Sequence, residues 1–392
     1  MSHTPPKQSF PLLNHLGNDL RPYQFSEDEK PLIGVLEGTG IGSEVIGAAL
    51  RILSAVEQTT GLQFEIRHGS LIGEAALEHC GQWLPEDVVN FCAEIFRDRG
   101  AILSGPGGGR YVYDLRRRFD LFCKFVPIQP FPELIGAARF VPGHLEHLDI
   151  LLIRDNAAGV YQGTSSERVT SAGRVVEHTF SYSESDVRRI VDVAARAAAA
   201  RSGNLHVVIK DGGVPGISEL WREAGTDAAS GHHVKPHFLN VDLVAYEIIQ
   251  NPGRFNVIVT PNLFGDIIAD IAGVLVASRG VTFSGNFCPA GHGVYQTNHG
   301  SAHDLAGAGT ANPAGQILSL AMLLRESFGL TDAAALIETS LRQCWLAGYR
   351  TADLAEPGCQ VLGTNAFTDK VVEQIQRSSN SRPSHETCAT AG

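Results

Sequence analysis

The sequence lacks the cysteine pattern of a disulfide scaffold or a zinc site. Its seven cysteines are scattered through 392 residues and include no Cys-x-x-Cys pair. We therefore expect neither a structural disulfide framework nor bound zinc, and the thiols fit a reducing, cytoplasmic location.

Basic charge and long apolar runs are also scarce. The chain has 31 Lys and Arg against 42 Asp and Glu, which gives a formal net charge of -11. This balance argues against nucleic acid as a main partner. No apolar run reaches membrane-spanning length, and the first residues do not form a signal segment, so no membrane partner is expected.

What is present is typical of an α/β enzyme. Hydrophobic residues make up 43% of the chain and charged residues 19%, and this length normally divides into two domains. Apolar strand-like segments alternate with helical ones, which predicts a largely parallel sheet. Residues 1–30 are interpreted as a loose arm and residues 378–392 as disordered.

One short run carries the strongest chemical signal. Asp266 and Asp270 lie four residues apart, after an apolar strand predicted over 255–260. A turn through Pro261 and Gly265 would then start a helix with both carboxylates on one face. They could supply two oxygen ligands to Mg²⁺. Alternatively, an Asp in the first turn would only stabilise the helix dipole.

Two glycine-rich segments and a cationic stretch suggest an anionic ligand. The first, residues 37–42, follows a strand over 32–36 and is either a nucleotide-binding loop or a tight turn, because Ser43 replaces the third glycine of the usual pattern. The second, residues 105–109, precedes Arg110, Arg116, Arg117, Arg118 and Lys124. These cations either bind a small anionic substrate or form a solvated helix face.

Further along, three features complete the pattern. Residues 168–178 are predicted to form a β-hairpin, and Ser183 with Asp186 resembles a capping box before a helix over 187–201. Residues 299–313 form a long loop of small residues, which either lets the backbone approach a ligand or is an ordinary surface loop.

The ordered set of motifs from about residue 31 to 375 resembles the β-decarboxylating dehydrogenases, the isocitrate / 3-isopropylmalate dehydrogenase family. The matching segments are Glu37–Glu44, Leu115–Phe122, Arg154–Asn156 with Tyr161, Lys210, Asp242, Asn262–Asp270, His299–Ala302 with Ala311–Pro313, and Arg350–Leu354. The resemblance implies an isopropylmalate dehydrogenase-like two-domain fold, not a Rossmann fold. It also implies a homodimer with shared active sites.

The resemblance also implies a domain division. Residues 31–121 and 277–377 would form a large cofactor-binding domain. Residues 122–276 would form a small domain with the dimer interface, to which the hairpin would contribute an intersubunit clasp.

The family oxidises a 2-hydroxy acid with NAD(P)⁺ and then removes CO₂ from the neighbouring carbon, using Mg²⁺ or Mn²⁺. By motif position, Asp266 and Asp270 would bind the metal together with Asp242 from the partner subunit. Lys210 of the partner would take the hydroxyl proton, and Tyr161 would protonate the enolate. Arg116 and Arg154 would bind substrate carboxylates.

The resemblance also locates the cofactor. The implied cofactor residues are Gly40, Ile41, Asn262 with its neighbour Leu263, His299, Gly300, Ser301, Ala302, Asp304 and Asn312. A carboxylate at Asp304 can accept hydrogen bonds from ribose hydroxyls and would repel a 2′-phosphate, which predicts NAD.

The chain departs from the family at the substrate. A third arginine of the family is replaced here by Val126, and Lys124 or Arg110 is a candidate replacement. Lys124 lies two residues earlier, on the same face of an extended segment. Lys210 is followed by residues 211–214, Asp-Gly-Gly-Val, which lack the asparagine expected near the nicotinamide.

Two further family glutamates are replaced, by Asp155 and Gln296. We therefore expect a 3-substituted malate whose side group is neither isopropyl nor carboxymethyl, for example a more anionic group such as a phosphonate. The alternatives are a 3-isopropylmalate, tartrate or malate-type dehydrogenase, a dehydrogenase that does not decarboxylate, or a non-catalytic regulatory homologue. The last is disfavoured because Lys210, Tyr161 and the metal-binding aspartates are present.

Overall fold

The fold is built on a ten-stranded sheet in a computed structural model that describes residues 12–17, 20, 22–26, 29–141 and 143–380. Within these residues the strands are β1 (Leu32–Leu36), β2 (Glu65–His68), β3 (Ala101–Ser104), β4 (Cys123–Ile128), β5 (Ile150–Asp155), β6 (Thr164–Thr170), β7 (Gly173–Thr179), β8 (Asn204–Ile209), β9 (Lys235–Asn240), β10 (Val257–Thr260), β11 (Phe283–Phe287), β12 (Gly293–Thr297), β13 (Tyr349–Arg350) and β14 (Gln360–Val361).

Helices cover both faces of this sheet. They are α1 (Leu13–Leu16), α2 (Gly42–Thr60), α3 (Gly73–Cys80), α4 (Glu86–Arg97), α5 (Tyr111–Arg118), α6 (Glu184–Ala200), α7 (Pro215–Gly231), α8 (Val241–Gln250), α9 (Asn262–Ala272), α10 (Ala314–Glu326), α11 (Thr331–Leu346) and α12 (Thr364–Asn380). In the described part of the chain, no helix is both long and apolar enough to cross a bilayer.

The sheet is mostly parallel, as the sequence predicts. Its strand order is β2-β1-β3-β12-β11-β4-β5-β10-β8-β9. Strand β11 pairs antiparallel with β12 and with β4, and β4 pairs antiparallel with β5; the other neighbours are parallel. Strands β1 and β5 are buried along their whole length, as expected for strands with helices on both faces.

The sheet continues across the predicted domain boundaries. Residues 121/122 and 276/277 both fall between strands, but the pairing of β11 with β4 joins the two halves into one sheet. The division into a large and a small domain stays a prediction.

Two predicted helix-and-hairpin features are confirmed. Strands β6 and β7 form the two-stranded hairpin. Ser183 accepts a hydrogen bond from the backbone of Asp186 at 3.1 Å and completes the capping box that opens α6. The helix starts three residues earlier than predicted, because the capping residues fix its first turn.

The prediction of a loose N-terminal arm is wrong for its described part. Leu13 is 3% exposed and packs into the main core. The ring of Phe25 contacts that of Phe328 edge-on, with centroids 5.3 Å apart. These apolar side chains pack the segment against the core. The polar composition of residues 1–30 gives no indication of this packing.

At the other end, α12 continues to Asn380, three residues into the segment predicted to be disordered. The rest of that segment lies outside the described residues.

Candidate active site

Helix α9 begins directly after Pro261, and Gly265 lies inside it rather than in a preceding turn. The predicted turn through Gly265 is therefore wrong. A Cβ at this glycine would lie 2.1 Å from the Thr260 hydroxyl and 2.8 Å from Arg154 Cγ. The glycine is needed because the side chain of Arg154 passes against the helix.

The two carboxylates of α9 lie one helical turn apart and remain accessible. The side chains of Asp266 and Asp270 are 41% and 44% exposed. Neither lies in the first turn of the helix, so the helix-dipole alternative does not explain them. An accessible pair of oxygen donors can bind a hard cation.

Each carboxylate has a cationic neighbour. Asp266 forms an ion pair with Arg154, and its Oδ2 accepts a hydrogen bond from the Tyr161 hydroxyl at 2.8 Å. Burial acts to raise the pKa of Asp266, but the Arg154 charge and the Tyr161 hydrogen bond outweigh it and lower the pKa. Asp270 pairs with Arg279 at 2.9 Å, and burial raises its pKa.

Arg154 is held rigidly at the end of β5. It is 1% exposed, and its Nε and Nη2 donate to Asn262 Oδ1 at 3.1 and 2.9 Å. The amide of Asn262 in turn donates to the Ala158 carbonyl at 2.9 Å. This chain of hydrogen bonds aims the guanidinium at Asp266.

Arg116 is a buried cation without a counterion. It lies in α5 and is 5% exposed. Its guanidinium lies 5.7 Å from the Tyr113 ring and forms no hydrogen bond or ion pair with a side chain of the described residues. Burial, together with the charge of Arg154, lowers the pKa of Arg116 to about 10. An unpaired buried charge costs several kcal/mol, which an anionic ligand would relieve.

Lys124 adds a third buried cation. It is 2% exposed and lies directly opposite Arg154 across the β4–β5 pair. Its ammonium donates to Asn298 Oδ1 at 2.6 Å. Burial and the charges of Arg116 and Arg154 lower its pKa. Val126, two residues along the same face, packs into the core.

Tyr161 lies in a one-turn 3₁₀ helix, Val160–Gln162, and its ring contacts that of Tyr113 with centroids 4.6 Å apart and the planes tilted by 33°. Arg110 donates to the Tyr161 carbonyl and to Asp114, both at 2.9 Å. Burial, with the Asp266 hydrogen bond, raises the pKa of the Tyr161 phenol. The group therefore remains protonated at neutral pH, as a proton donor must.

Lys210 and Asp242 form a separate, exposed ion pair. Lys210 Nζ lies 2.7 Å from Asp242 Oδ1, and their side chains are 38% and 68% exposed. The hydrogen bond from Lys210 lowers the pKa of Asp242. Among the described residues of this single chain, no three His, Cys, Asp or Glu side chains cluster closely enough to hold a metal. Asp242 therefore does not join Asp266 and Asp270 within one chain.

The predicted cofactor loop is fixed against the first glycine-rich turn. The amide of Ile41 donates to the Ser301 carbonyl at 2.9 Å. A Cβ at Gly40 would lie only 2.0 Å from that same oxygen, so only glycine fits. His299 Nε2 is buried and has no hydrogen-bond partner among the residues that the structure describes.

The remaining predicted cofactor residues divide between exposed and buried positions. Gly300 and Asp304 are exposed, and Ala302 is partly buried. The backbone of Ala302 is left-handed, with a φ of 42°. Asn312 is buried and donates to Asp353 at 3.0 Å. Leu263 is partly buried beside Asn262 in α9.

Sequence reasoning missed three contributors: Tyr113, Asn298 and Arg279. Tyr113 precedes Arg116 by three residues on α5, so helical spacing could have placed both on one face. Asn298 is adjacent to His299 and could have been included with the loop. Arg279 pairs with a carboxylate nine positions away through the chain's return from α9, which no local pattern indicates.

A mostly parallel α/β fold with carboxylate oxygens beside buried arginines defines an enzyme for a small anionic substrate. The profile of the family described as isocitrate/isopropylmalate dehydrogenase matches residues 32–371. The chain belongs to the isocitrate/isopropylmalate dehydrogenase family, and is a decarboxylating dehydrogenase of a hydroxy acid.

Individual relatives agree with this assignment. The chain is 36% identical over 359 residues to the 3-isopropylmalate dehydrogenase of Oleidesulfovibrio alaskensis, covering 88% of this chain and 99% of the relative. It is 35% identical over 363 residues to that of Heyndrickxia coagulans, covering 89% and 98%. Among solved structures, the isocitrate dehydrogenase of Methylococcus capsulatus superposes with a TM-score of 0.78 at 27% identity, covering 88% and 99%.

Proposed function

We propose that the chain catalyses the NAD- and divalent-metal-dependent oxidative decarboxylation of a 3-substituted malate. The observation that carries the proposal is the cluster of buried cations, Arg116, Lys124 and Arg154, beside two accessible carboxylates. Buried cations in excess of their partners require an anionic ligand, and a malate supplies two carboxylates.

The donors present fit Mg²⁺ or Mn²⁺. Asp266 and Asp270 offer only oxygen atoms, which hard cations prefer, and both are accessible. They would hold the ion together with Asp242 of a second subunit. When bound, the ion would act as a Lewis acid toward the substrate oxygens.

Proton transfer is assigned to two side chains. Tyr161, kept protonated and hydrogen-bonded to Asp266, would donate a proton to the carbon that loses CO₂. Lys210 of a second subunit would accept the hydroxyl proton, directly or through a water. Arg116 and Arg154 would hold the substrate carboxylates in place.

The proposed homodimer follows from surfaces that one chain leaves uncovered. On α8 and α9, apolar side chains are solvent-exposed: Leu243 (41%), Tyr246 (61%) and Ile267 (49%). The exposed Lys210–Asp242 pair belongs to the same region, since Asp242 precedes Leu243. On the hairpin, Val169 and Val176 are 83% and 59% exposed, as expected of a clasp that packs on a partner.

NAD is the proposed cofactor. The close fit of Gly40 against Ser301 and the unpartnered Nε2 of His299 are consistent with a loop shaped for an adenosine group. The carboxylate of Asp304 is exposed at this loop, where it would favour ribose hydroxyls over a 2′-phosphate.

The substrate is proposed to differ from the 3-isopropylmalate for which the relatives are named. The loss of the arginine at Val126 removes a bidentate clamp, and Lys124 supplies a charge without the fork geometry. Arg110 lies near the site but is already bound to Asp114 and to the Tyr161 carbonyl.

The test is a panel of malates with different 3-substituents, assayed with NAD⁺ and Mg²⁺ or Mn²⁺ for NADH and for CO₂. Tyr161→Phe and Lys210→Met should each reduce turnover at least a hundredfold, consistent with the magnitude of general acid–base catalysis. Lys235→Met, an exposed lysine on the edge strand β9, is the matched control and should retain activity. Full turnover in either catalytic variant would contradict the assigned roles.

A further inference from the structure

Lys124 belongs to a row of polar side chains that crosses the centre of the sheet. Asn286 of β11, Lys124 of β4 and Arg154 of β5 are directly opposite one another in successive antiparallel pairs. Directly opposed residues share a face, with Cβ atoms about 4.5–5.5 Å apart. Lys124 therefore lies beside the Arg154 guanidinium.

The ammonium of Lys124 uses only part of its hydrogen-bonding capacity within the described part of the chain. It has three donors, and its hydrogen bond within the described part of the chain goes to the neutral amide oxygen of Asn298 at 2.6 Å. No carboxylate forms an ion pair with it there, although the side chain is 2% exposed. Asp266 and Asp270 attract this charge without pairing with it, while Arg116 and Arg154 repel it, so a ligand carboxylate would stabilise the buried ammonium.

Arg110, the other candidate replacement, differs from Lys124 because it is exposed and already has a carboxylate partner. Its side chain is 44% exposed and its charge is balanced by Asp114 at 2.9 Å. Its second nitrogen donates to the Tyr161 carbonyl at 2.9 Å. Arg110 already has a carboxylate partner and is held on the Tyr161 carbonyl, whereas Lys124 has no ion-pair partner in the described part of the chain.

Asn298 explains how a lysine can be directed to this position. The residue directly precedes His299, so the Lys124–Asn298 hydrogen bond joins the cation cluster to the predicted cofactor loop. This contact restrains a flexible four-carbon side chain that otherwise loses much rotamer freedom on binding.

We propose that Lys124, positioned by Asn298, is the specificity-determining cation that binds a substrate carboxylate in place of the arginine lost at Val126. Arg110 is instead a positioning residue that holds the turn carrying Tyr161. The inference rests on the proposed function, because it takes a malate-type dianion as the ligand.

The first experiment compares KM and kcat, using the malate from the panel that gives the most NADH. Lys124→Met should raise KM for the malate roughly tenfold to a hundredfold, the range for a lost charged hydrogen bond. Asn298→Ala should raise it by less, and Lys124→Arg should recover most of the loss. Arg110→Gln should lower kcat with a smaller change in KM, because it disturbs Tyr161 rather than substrate binding.

The second experiment measures binding without turnover, by calorimetric titration of the full-length protein with each malate of the panel in the presence of Mg²⁺. Lys124→Met should weaken binding by a factor similar to its KM effect, while the Lys235→Met control binds as the wild type does. Thermal unfolding of each variant checks that the fold is retained.

The outcomes separate the two proposals. If the wild type turns over a malate and Lys124→Met leaves KM unchanged, the inference fails and the proposed function stands. If no malate is oxidised but Mg²⁺-dependent binding is lost in Lys124→Met, the anion subsite stands and the function fails. A larger KM effect in Arg110→Gln than in Lys124→Met reverses the assignment, and absence of binding in the wild type overturns both.

Discussion

Arg116 should destabilise the free protein, so its removal should stabilise the fold while it abolishes function. The residue is 5% exposed, its guanidinium lies 5.7 Å from the Tyr113 ring, and it forms no ion pair with a described carboxylate, although the Asp266 charge acts on it from a distance. Burial and the charge of Arg154 lower its pKa from the ordinary value of an arginine to about 10. At 1.36 kcal/mol per pKa unit, the charged form costs the folded state about 3 kcal/mol.

The sign follows from linkage. A base whose pKa is lower in the folded state binds its proton less tightly there than in the unfolded chain. The penalty is fully present below about pH 10, where both states carry the charge, and disappears as pH rises above 10 toward the ordinary pKa of an arginine. At neutral pH, Arg116→Met should therefore relieve most of it.

The assay is urea unfolding at neutral pH in the absence of substrate. Arg116→Met should raise the free energy of unfolding by about 1–3 kcal/mol, the upper value being reduced by the lost ring contact. The same variant should lower kcat/KM at least a hundredfold. Such an exchange of stability for function is common at binding sites.

Arg117→Met is the matched control, because Arg117 is exposed on the same helix. It should change stability by less than about 0.5 kcal/mol. If Arg116→Met instead destabilises the protein by more than about 1 kcal/mol while the control is neutral, Arg116 is compensated in the free protein and the reasoning is refuted.

Two further predictions concern the N-terminal segment and the cofactor. Glu326 accepts a hydrogen bond from the Leu12 backbone, and burial raises its pKa from 4.5 to about 7. The folded state therefore holds this proton more tightly, and the carboxyl destabilises the fold increasingly as pH rises from about 4.5 to 7. Glu326→Gln should be about 2–3 kcal/mol more stable at pH 8 and equal near pH 4, as measured by urea unfolding; a pH-independent difference would contradict this. Asp304→Lys should shift the ratio of kcat/KM for NAD⁺ and NADP⁺ toward NADP⁺, and an unchanged ratio would count against the assigned role.

The parts of the fold that sequence patterns predicted are those set by local periodicity. Strand β1 coincides with its predicted range, and α6 follows its capping box, because both depend on neighbouring residues. The position of Asp266 and Asp270 on one face of α9 follows from helical spacing in the same way.

The wrong predictions concern segments whose structure depends on contacts with residues far away in the sequence. Gly265 suggests a turn, but it lies within α9, and the position is a glycine because Arg154, more than a hundred positions earlier, packs against it. The N-terminal segment reads as a loose arm, yet the carboxyl of Glu326 and the core around Leu13 hold it.

At Val126 the chain lacks the arginine of the family, and Lys124 can replace the positive charge of that arginine but not the planar geometry of its guanidinium. Arg116, Lys124 and Arg154 together keep three buried cations at the site, so the electrostatic demand for two carboxylates remains. An ammonium binds an anion as a point charge, whereas a guanidinium fixes the plane of a carboxylate through two parallel hydrogen bonds. The reacting part of the substrate is therefore expected to be that of the family, while the orientation of one carboxylate, and with it the substituent at the neighbouring carbon, is free to differ.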